Sequence, residues 1–374
     1  MIDRRNLLRG GLVLLGHGAR AALSARIESI TTISHQPGHY HGWPTLARRR
    51  NGDLLVVCSG GREAHVCPFG RVELMWSHDD GRAWSWPEVL VDTPIDDRDA
   101  GACETSKGSL LVTTFTSLAY QAVLDKARGW PQEKLDRWVA VNRRIDAGQR
   151  ESLLGTWMIR STDGGLSWSA PYRVPVNSPH GPVAISDGRV LYAGKQLWEG
   201  ARRIGVCESG DDGQSWRWLA DIPTRPGDKH EDYHELHLVE TADRRLLVHL
   251  RNHNSANAGE TLQSESSDGG KTWTVPHPIG VWGLPSHLLR LRDGRLLMTY
   301  GHRRAPLGNQ ARVSRDHGRT WSDPLILSGD APTTDVGYPS TVELPNGSLL
   351  TVWYEKMGAS PQAVLRQARW SLEG

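Results

Sequence analysis

The chain has 374 residues and 38% hydrophobic content, which is enough to bury one large core. Its 44 Lys and Arg balance 42 Asp and Glu to a formal net charge of +2, and the two signs are evenly mixed, which argues against nucleic acid as a partner. No cofactor and no membrane span are expected.

The N-terminus resembles an export signal, which we assign to residues 1–25, ahead of a single domain over residues 26–374. The stretch Asp3–Arg9 is similar to a twin-arginine motif, a glycine-containing apolar segment follows it, and Ala22–Ala25 offers small residues for cleavage. The alternative is a frayed tail, because a histidine and an arginine interrupt the apolar segment. Export predicts a periplasmic or extracellular protein.

The cysteines need not form disulfides, because a twin-arginine route carries folded proteins. Their spacing also matches no zinc-binding pattern. The four are Cys58, Cys67, Cys103 and Cys207.

Six tight turns recur along the chain, each between two apolar runs that are typical of strands. Asn-Gly or Asp-Gly in this context is the strongest short-range signal for a β-hairpin, and five of the six turns carry the glycine. Six hairpins predict the six blades of an all-β propeller. The turns are Asn51-Gly52, Lys107-Gly108, Asp187-Gly188, Asp243-Arg244, Asp293-Gly294 and Asn346-Gly347.

Between the hairpins lie five copies of the pattern Ser-x-Asp-x-Gly-x-x-Trp. Asp and Ser can bond their own backbone, Gly supplies a turn with positive φ, and the Trp packs the turn against a neighbouring sheet. Each copy therefore predicts a structural corner and not a catalytic site, and the spacing of the copies favours a propeller. They are Ser77–Trp84, Ser161–Trp168, Ser209–Trp216, Ser266–Trp273 and Ser314–Trp321.

The sixth blade has no copy of this pattern and must be completed in another way. The segment Val364–Ser371 is placed to pair with a strand over Arg26–Ser34. That pairing would close the ring of blades with the two ends of the domain.

One stretch departs from the β pattern, at about residues 120–154. Its helix-forming residues carry apolar positions such as Leu124, Trp138 and Val141, which suits one or two amphipathic helices inserted in blade two. An insertion on one rim of a repeat fold often shapes the binding site.

Polar and flexible residues open the first strand of every predicted blade. These strands line the central channel of a propeller and their openings converge on one face, so the ionisable groups there predict a ligand pocket. The openings are His41-Gly42-Trp43-Pro44, Asp97-Arg98-Asp99-Ala100, Pro179-His180-Gly181-Pro182, His234-Glu235-Leu236-His237, Pro285-Ser286-His287 and Gly337-Tyr338-Pro339-Ser340.

The repeated pattern resembles the Asp-boxes, or BNR repeats, of the sialidase (neuraminidase) superfamily, and the resemblance covers essentially all of the chain after the export signal. Asp-boxes also occur in propellers that act on other sugars and in propellers that only bind, so function depends on the site. Four further motifs are similar to the family's and follow its order: His234–Glu240 leading to Arg251-Asn252, an arginine at Arg303 or Arg304, Tyr338-Pro339-Ser340, and Tyr354-Glu355.

The resemblance implies a glycosidase with a tyrosine nucleophile. A carboxylate at the reacting carbon of the sugar would repel a carboxylate nucleophile, so Tyr338 would attack while Glu235 takes its proton. The residues implied for the substrate carboxylate are Arg251 and either Arg303 or Arg304, with Glu355 to orient an arginine.

The chain departs from the family at two points. The family's first-blade arginine, which precedes Ile-Pro, is missing from Gly42-Trp43-Pro44, and Arg62 at the end of the next strand is a candidate to substitute for it. The acid/base aspartate of the loop after blade one is also absent as such. Candidates for its role are Glu63 and Asp99, ahead of His65 and Asp97.

Histidines crowd the predicted mouth of the channel. Together they suggest a site rebuilt for a different sugar, with imidazoles available as general acid or base near neutral pH. No metal site is predicted, because their spacing is unremarkable. The substrate-binding candidates among them are His65, His180, His237 and His287, with His41, His234 and His253 nearby.

Three functions are compatible with these residues. The favoured one is an exported exo-acting glycoside hydrolase that cleaves a sialic acid or another acidic sugar from a glycan or glycoconjugate. The second is a polysaccharide lyase of the same fold acting on a uronate, which explains the histidines and the missing arginine better than the retained Tyr338–Glu235 pair. The third is a non-catalytic glycan-binding propeller, which leaves the ionisable openings unexplained.

Overall fold

The computed structural model describes residues 23–198, 200–256, 258–358 and 362–374. Within these ranges, 24 strands form six four-stranded antiparallel sheets, which confirms the predicted six-bladed propeller. The predicted export signal lies outside the described residues, except for its last three positions.

In each blade the strands follow one another outward from the channel. The chain begins with β1 (Ser24–Thr32), the outermost strand of the sixth blade. Blades one to three contain β2 (Tyr40–Arg48), β3 (Leu54–Arg62), β4 (Arg71–Ser77) and β5 (Glu88–Val91); β6 (Asp96–Glu104), β7 (Leu110–Ser117), β8 (Thr156–Ser161) and β9 (Tyr172–Arg173); and β10 (Val183–Ala184), β11 (Val190–Lys195), β12 (Ile204–Ser209) and β13 (Arg217–Asp221). Blades four to six contain β14 (Tyr233–Glu240), β15 (Leu246–Asn252), β16 (Thr261–Ser266) and β17 (His277–Pro278); β18 (Ser286–Arg290), β19 (Leu296–His302), β20 (Gly308–Ser314) and β21 (Leu325–Ser328); and β22 (Val336–Glu343), β23 (Leu349–Lys356) and β24 (Ala363–Glu373).

The two ends of the domain close the ring, as predicted. Strand β1 pairs antiparallel with β24, in a register that runs from Ser24 opposite Glu373 to Thr32 opposite Arg366. The sixth blade therefore has no link between a third and a fourth strand, which explains why it has no Asp-box. The strand begins two residues before the predicted domain boundary at residue 26.

The antiparallel order sorts the connections onto two faces of the propeller. The openings of the inner strands share one face, which we call the mouth, with the loops that join second to third strands. The hairpin turns and the Asp-boxes lie on the opposite face. A helix insertion after a second strand therefore lies at the mouth.

Each Asp-box forms the predicted corner between a third and a fourth strand. In the last copy, the Ser314 hydroxyl donates to Asp316 at 2.8 Å and accepts from the N–H of Gly318 at 2.7 Å. The indole N–H of Trp321 donates to Gln263 of the preceding blade at 3.1 Å. The box thus fixes its own turn and ties two blades together.

We expect Ser314→Ala to lower the free energy of unfolding by about 1–3 kcal/mol, because the buried N–H of Gly318 loses its acceptor. Arg319→Ala in the same box removes only an exposed side chain and is expected to change stability by less than about 0.5 kcal/mol. Urea unfolding measures both variants. Equal losses would contradict the role assigned to the serine.

The hairpin turn without glycine shows what these turns require. In the five other turns a glycine adopts a positive φ, for example 100° at Gly52. Arg244 takes the same conformation at φ 64°, which is uncommon for a residue with a Cβ. Hydrogen bonds from Thr241 to Asp243 and to the carbonyl of Arg245 hold this turn in shape.

The insertion contains three short helices instead of the one or two predicted. They are α1 (Ala119–Leu124), α2 (Gln132–Asn142) and α3 (Ala147–Ser152), between the second and third strands of blade two. The buried side chains of Tyr120 and Trp138 pack with Cys67 and Ile95, which belong to mouth loops of blades one and two. The insertion is therefore part of the wall around the mouth.

All four cysteines are buried and unpaired. In the described part of the chain, no helix is long and apolar enough to cross a membrane. Across the same ranges, no cluster of three or more His, Cys, Asp or Glu side chains is arranged to hold a metal ion.

Candidate active site

A backbone irregularity recurs where the inner strands open at the mouth. The register with the second strand breaks between Gly42 and Thr45, between Arg98 and Gly101, between His234 and Leu236, and between Gly337 and Ser340. Such bulges re-aim the side chains they contain. The residues inside the four breaks include Trp43, Asp99, Glu235 and Tyr338.

Three of these residues adopt a backbone conformation that favours glycine. Trp43, Asp99 and Tyr338 have φ values of 54°, 48° and 54°. Each costs about 1–3 kcal/mol, and strain of this kind concentrates at functional sites. Its recurrence in three blades makes the mouth the candidate functional face.

Tyr338, Glu235 and Arg251 form one hydrogen-bonded group. The Tyr338 hydroxyl donates to one carboxylate oxygen of Glu235, and Nη1 of Arg251 donates to the other at 2.5 Å. The same nitrogen lies 3.2 Å from the Tyr338 hydroxyl oxygen. The structure thus brings together the predicted nucleophile, its proton acceptor and an arginine of the anion site.

The environment of this group keeps the proton on the tyrosine and the charge on the glutamate. Burial, and then the negative charge of Glu235, raise the pKa of Tyr338 well above its ordinary value. Burial alone would raise the pKa of Glu235, but the charge of Arg251 and the hydrogen bond from Tyr338 lower it overall. Glu235 is therefore an ionised acceptor beside a protonated phenol.

The charges of Glu235 and Arg251 in this group shift the pKa of Asp99. The side chain is buried, and burial together with the charge of Glu235 raises its pKa to about 7, against opposing charges from Arg98, Arg62 and Arg251. A carboxyl group with this pKa can hold or release a proton near neutrality.

Of the two adjacent arginines considered from the sequence, Arg303 is the one at the site. Its Nη2 donates to the Tyr354 hydroxyl at 3.2 Å and its Nε donates to the carbonyl of Val336 at 3.0 Å. Arg304 is exposed and stacks on Trp282, with its guanidinium carbon 4.7 Å from the ring centroid.

Arg62 does not occupy the place that was predicted for it. Its guanidinium pairs with both oxygens of Asp96, at 2.5 and 3.0 Å, and its side chain is 0% exposed. The guanidinium is therefore buried and fully paired, and the structure does not present it at the mouth. Arg98, in the same opening as Asp99, lies 4.4 Å over the Trp43 ring and stays partly exposed.

Glu355 pairs with an arginine on the third strand of its own blade. It is buried and accepts hydrogen bonds from Arg366 of β24 and from the Trp353 indole, at 3.0 and 2.8 Å. It therefore orients an arginine, but not one of those at the mouth. Its neighbour Tyr354 points to the other side of β23 and contacts the Tyr338 ring, with centroids 5.7 Å apart.

Glu63 anchors the helical insertion. Its carboxylate accepts from the Trp138 indole at 2.9 Å and from Arg137 at 3.1 Å. No described residue of the Tyr338 group contacts it.

His65 lies at the rim of the mouth, with 48% of its side chain exposed. Its Nδ1 is 3.1 Å from Asp335 and 2.9 Å from the Tyr40 hydroxyl. Its ring meets the Trp43 ring edge-on, with centroids 5.0 Å apart. Asp335 and Tyr40 were not singled out from the sequence, and nothing in the local pattern marks them.

The remaining predicted histidines pack against one another in the channel. The rings of His180, His237 and His287 have centroids 4.6–5.2 Å apart, and all three side chains are buried. Burial lowers the pKa of each, to about 3 for His287, so the stack is neutral.

The neutral stack predicts a loss of stability in mild acid. An unfolded histidine titrates near pH 6.5, so between that pH and about 3 the unfolded chain binds more protons than the folded one. Stability is complete above this window and falls as the pH is lowered through it, by about 1.4 kcal/mol per pH unit for each histidine. Between pH 6 and pH 5, the unfolding free energy of His287→Asn, measured in urea, should fall by about 1.4 kcal/mol less than that of the wild type. An unchanged slope would contradict this account.

The fold defines the class of protein, a six-bladed β-propeller with a sialidase-like fold. The BNR repeat-like domain family matches residues 122–351, and the chain belongs to that family. Comparison with curated proteins gives no match.

Solved structures share the fold at low sequence identity. A protein of unknown function from Dyadobacter fermentans is 21% identical with a TM-score of 0.76, over 94% of this chain and 100% of that one. The Hadza microbial sialidase Hz136 is 16% identical with a TM-score of 0.61, over 88% and 65% of the two chains. Trypanosoma rangeli sialidase in complex with sialic acid is 17% identical with a TM-score of 0.60, over 93% and 58%. This chain thus spans less than two thirds of the length of those two sialidases.

Proposed function

We propose that the protein is an exported exo-acting glycoside hydrolase that removes a terminal sialic acid or a related acidic sugar from a glycan. The observation that carries the proposal is the hydrogen bond from the Tyr338 hydroxyl to the ionised carboxylate of Glu235, with Arg251 bonded to both. Export rests on the twin-arginine resemblance of the N-terminus.

This arrangement suits a sugar with a carboxylate on its anomeric carbon. A carboxylate nucleophile would be repelled by that substituent, whereas a neutral phenol is not. As Tyr338 attacks the anomeric carbon, its proton passes to Glu235, and the bond to the leaving-group oxygen breaks. A phenol with a reference pKa of about 10 needs such an acceptor to act at neutral pH.

Cations at the mouth supply the complementary charge. Arg251 lies beside Tyr338, Arg303 lies beside Tyr354, and Arg98 adds a third guanidinium over Trp43. Guanidinium groups bind carboxylates through two parallel hydrogen bonds. These three would hold the substrate carboxylate in place of the family's usual clamp.

The channel favours a short, terminal segment of glycan. Thr45 of blade one donates to the carbonyl of Pro179 of blade three at 2.8 Å, so these inner strands meet across the channel. The buried histidine stack fills more of it. A site at the mouth of a filled channel would accept the end of a glycan chain, which supports exo-action.

A panel of aryl glycosides tests the proposal. Purified protein is incubated with 4-methylumbelliferyl glycosides of N-acetylneuraminic acid, of its deaminated analogue and of a 3-deoxyoctulosonic acid, beside a uronate-rich polysaccharide. Release of the fluorophore by the wild type and not by Glu235→Gln supports the hydrolase. Unsaturated uronate products, read by near-ultraviolet absorbance, would instead support a lyase, and glycan binding without turnover a binding propeller.

A further inference from the structure

The group that protonates the leaving group is not yet assigned. The two carboxylates that the sequence favours for this role, Glu63 and Asp99, are not placed to protonate a leaving group. Glu63 is held by Trp138 and Arg137 of the insertion. Asp99 is only 7% exposed and shares its charge environment with Glu235 and Arg251, where the nucleophile lies.

We propose that His65, oriented by Asp335, is the general acid and base of the reaction. The assignment rests on the hydrolase function proposed above. It places the role in the loop that follows β3, in which no aspartate is present.

Asp335 is built to hold one imidazole tautomer. Its carboxylate accepts from the hydroxyls of Tyr40 and Tyr354, both at 3.0 Å, and lies 3.1 Å from Nδ1 of His65. Burial alone would raise the pKa of Asp335, but these hydrogen bonds and the nearby His65 lower it overall. An ionised carboxylate at Nδ1 keeps the proton on that nitrogen, which leaves Nε2 for chemistry.

Nε2 of His65 lies on an imidazole ring at the edge of the site. None of the residues that the structure describes forms a hydrogen bond with Nε2 of His65. The rings of His65 and Tyr338 both contact the buried Trp43 ring, with centroid distances of 5.0 and 6.4 Å. A sugar bound at the mouth next to Tyr338 would therefore lie near the His65 imidazole.

The proton transfers balance over the two steps of the reaction. In the first, Nε2–H of the His65 imidazolium gives its proton to the leaving-group oxygen as that oxygen departs and the Tyr338 oxygen bonds to the anomeric carbon. In the second, neutral His65 takes a proton from water, the water oxygen attacks the anomeric carbon, and the bond to Tyr338 breaks. Glu235, which took the phenolic proton in the first step, returns it to the Tyr338 oxygen, so His65, Glu235 and Tyr338 regain their starting states.

The test compares leaving groups that differ in their need for a proton. For the panel sugar that is hydrolysed, kcat/KM is measured on the 4-methylumbelliferyl glycoside and on the glycoside of lactose. We expect His65→Gln to lose about 10²–10⁴-fold on the lactose glycoside and less than about tenfold on the aryl glycoside. Asp335→Asn should show a smaller loss with the same dependence on the leaving group, which a merely structural defect would not produce.

Two controls make the comparison decisive. Glu63→Gln, in the same loop, should keep the wild-type ratio between the two substrates. His65→Ala should regain activity on the lactose glycoside when imidazole is added to the buffer. Equal losses on both substrates in His65→Gln, or a selective loss in Asp99→Asn, would overturn the assignment. Failure of the wild type on the whole panel would overturn the hydrolase itself and the assignment with it.

Discussion

Tyr338→Phe is expected to lower kcat by at least about 10³-fold, because the nucleophilic oxygen is removed while the ring is kept. The phenyl ring still packs on Trp43 and Tyr354, and Glu235 keeps its bond to Arg251. The fold should therefore survive, with a loss of stability of about 1–3 kcal/mol at most for the missing hydrogen bond.

Steady-state kinetics on the aryl glycoside, together with urea unfolding, checks this expectation. Tyr300→Phe is the matched control, because Tyr300 is also a buried tyrosine with a hydrogen-bonded hydroxyl, but its hydroxyl bonds Gln310 and not a residue of the site. It should keep a substantial part of kcat. Comparable rates in wild type and Tyr338→Phe would rule out the tyrosine as nucleophile.

Arg251→Gln is expected to reduce kcat/KM by about 10²–10³-fold, since truncating one partner of a buried, hydrogen-bonded charge pair costs about 2–5 kcal/mol of binding free energy. The variant removes the cation that holds Glu235 ionised and a donor to the substrate carboxylate. We expect KM to rise and kcat to fall together, because ground-state binding and the proton acceptor are both affected.

Arg304→Gln is the control for this variant. It removes an arginine from the same face, but one that is exposed and stacked on Trp282. Its kcat/KM should stay within about twofold of the wild type, as for most exposed substitutions. Similar losses in both variants would indicate a diffuse effect of positive charge and not a specific contact.

The propeller was predictable from the sequence because its signals are local. The turn at Asn51-Gly52 and the box at Ser314–Trp321 need only neighbouring residues to form, and both adopt the predicted conformation. The grouping of Tyr338, Glu235 and Arg251 was also predicted, since each lies in a motif at the opening or end of a strand near the channel.

The surroundings of the other candidates depend on partners that are distant in sequence or on strand orientation. Arg62 pairs with Asp96, and no local pattern predicts that pair. Glu355 and Tyr354 are adjacent in β23 and point to opposite sides of the strand, so only one of them can lie against Tyr338, and in this structure it is Tyr354. Asp335 lies in a loop before β22. Only its hydrogen bonds with Tyr40, Tyr354 and His65, which the fold creates, identify it as part of the site.

Covalent trapping tests the central claim most directly. The 2,3-difluoro analogue of the panel sugar that the wild type hydrolyses should accumulate on the enzyme, and mass spectrometry of the digested adduct should place it on the peptide that contains Tyr338. An adduct on another residue, or turnover of the parent sugar with no adduct at all, would contradict the mechanism.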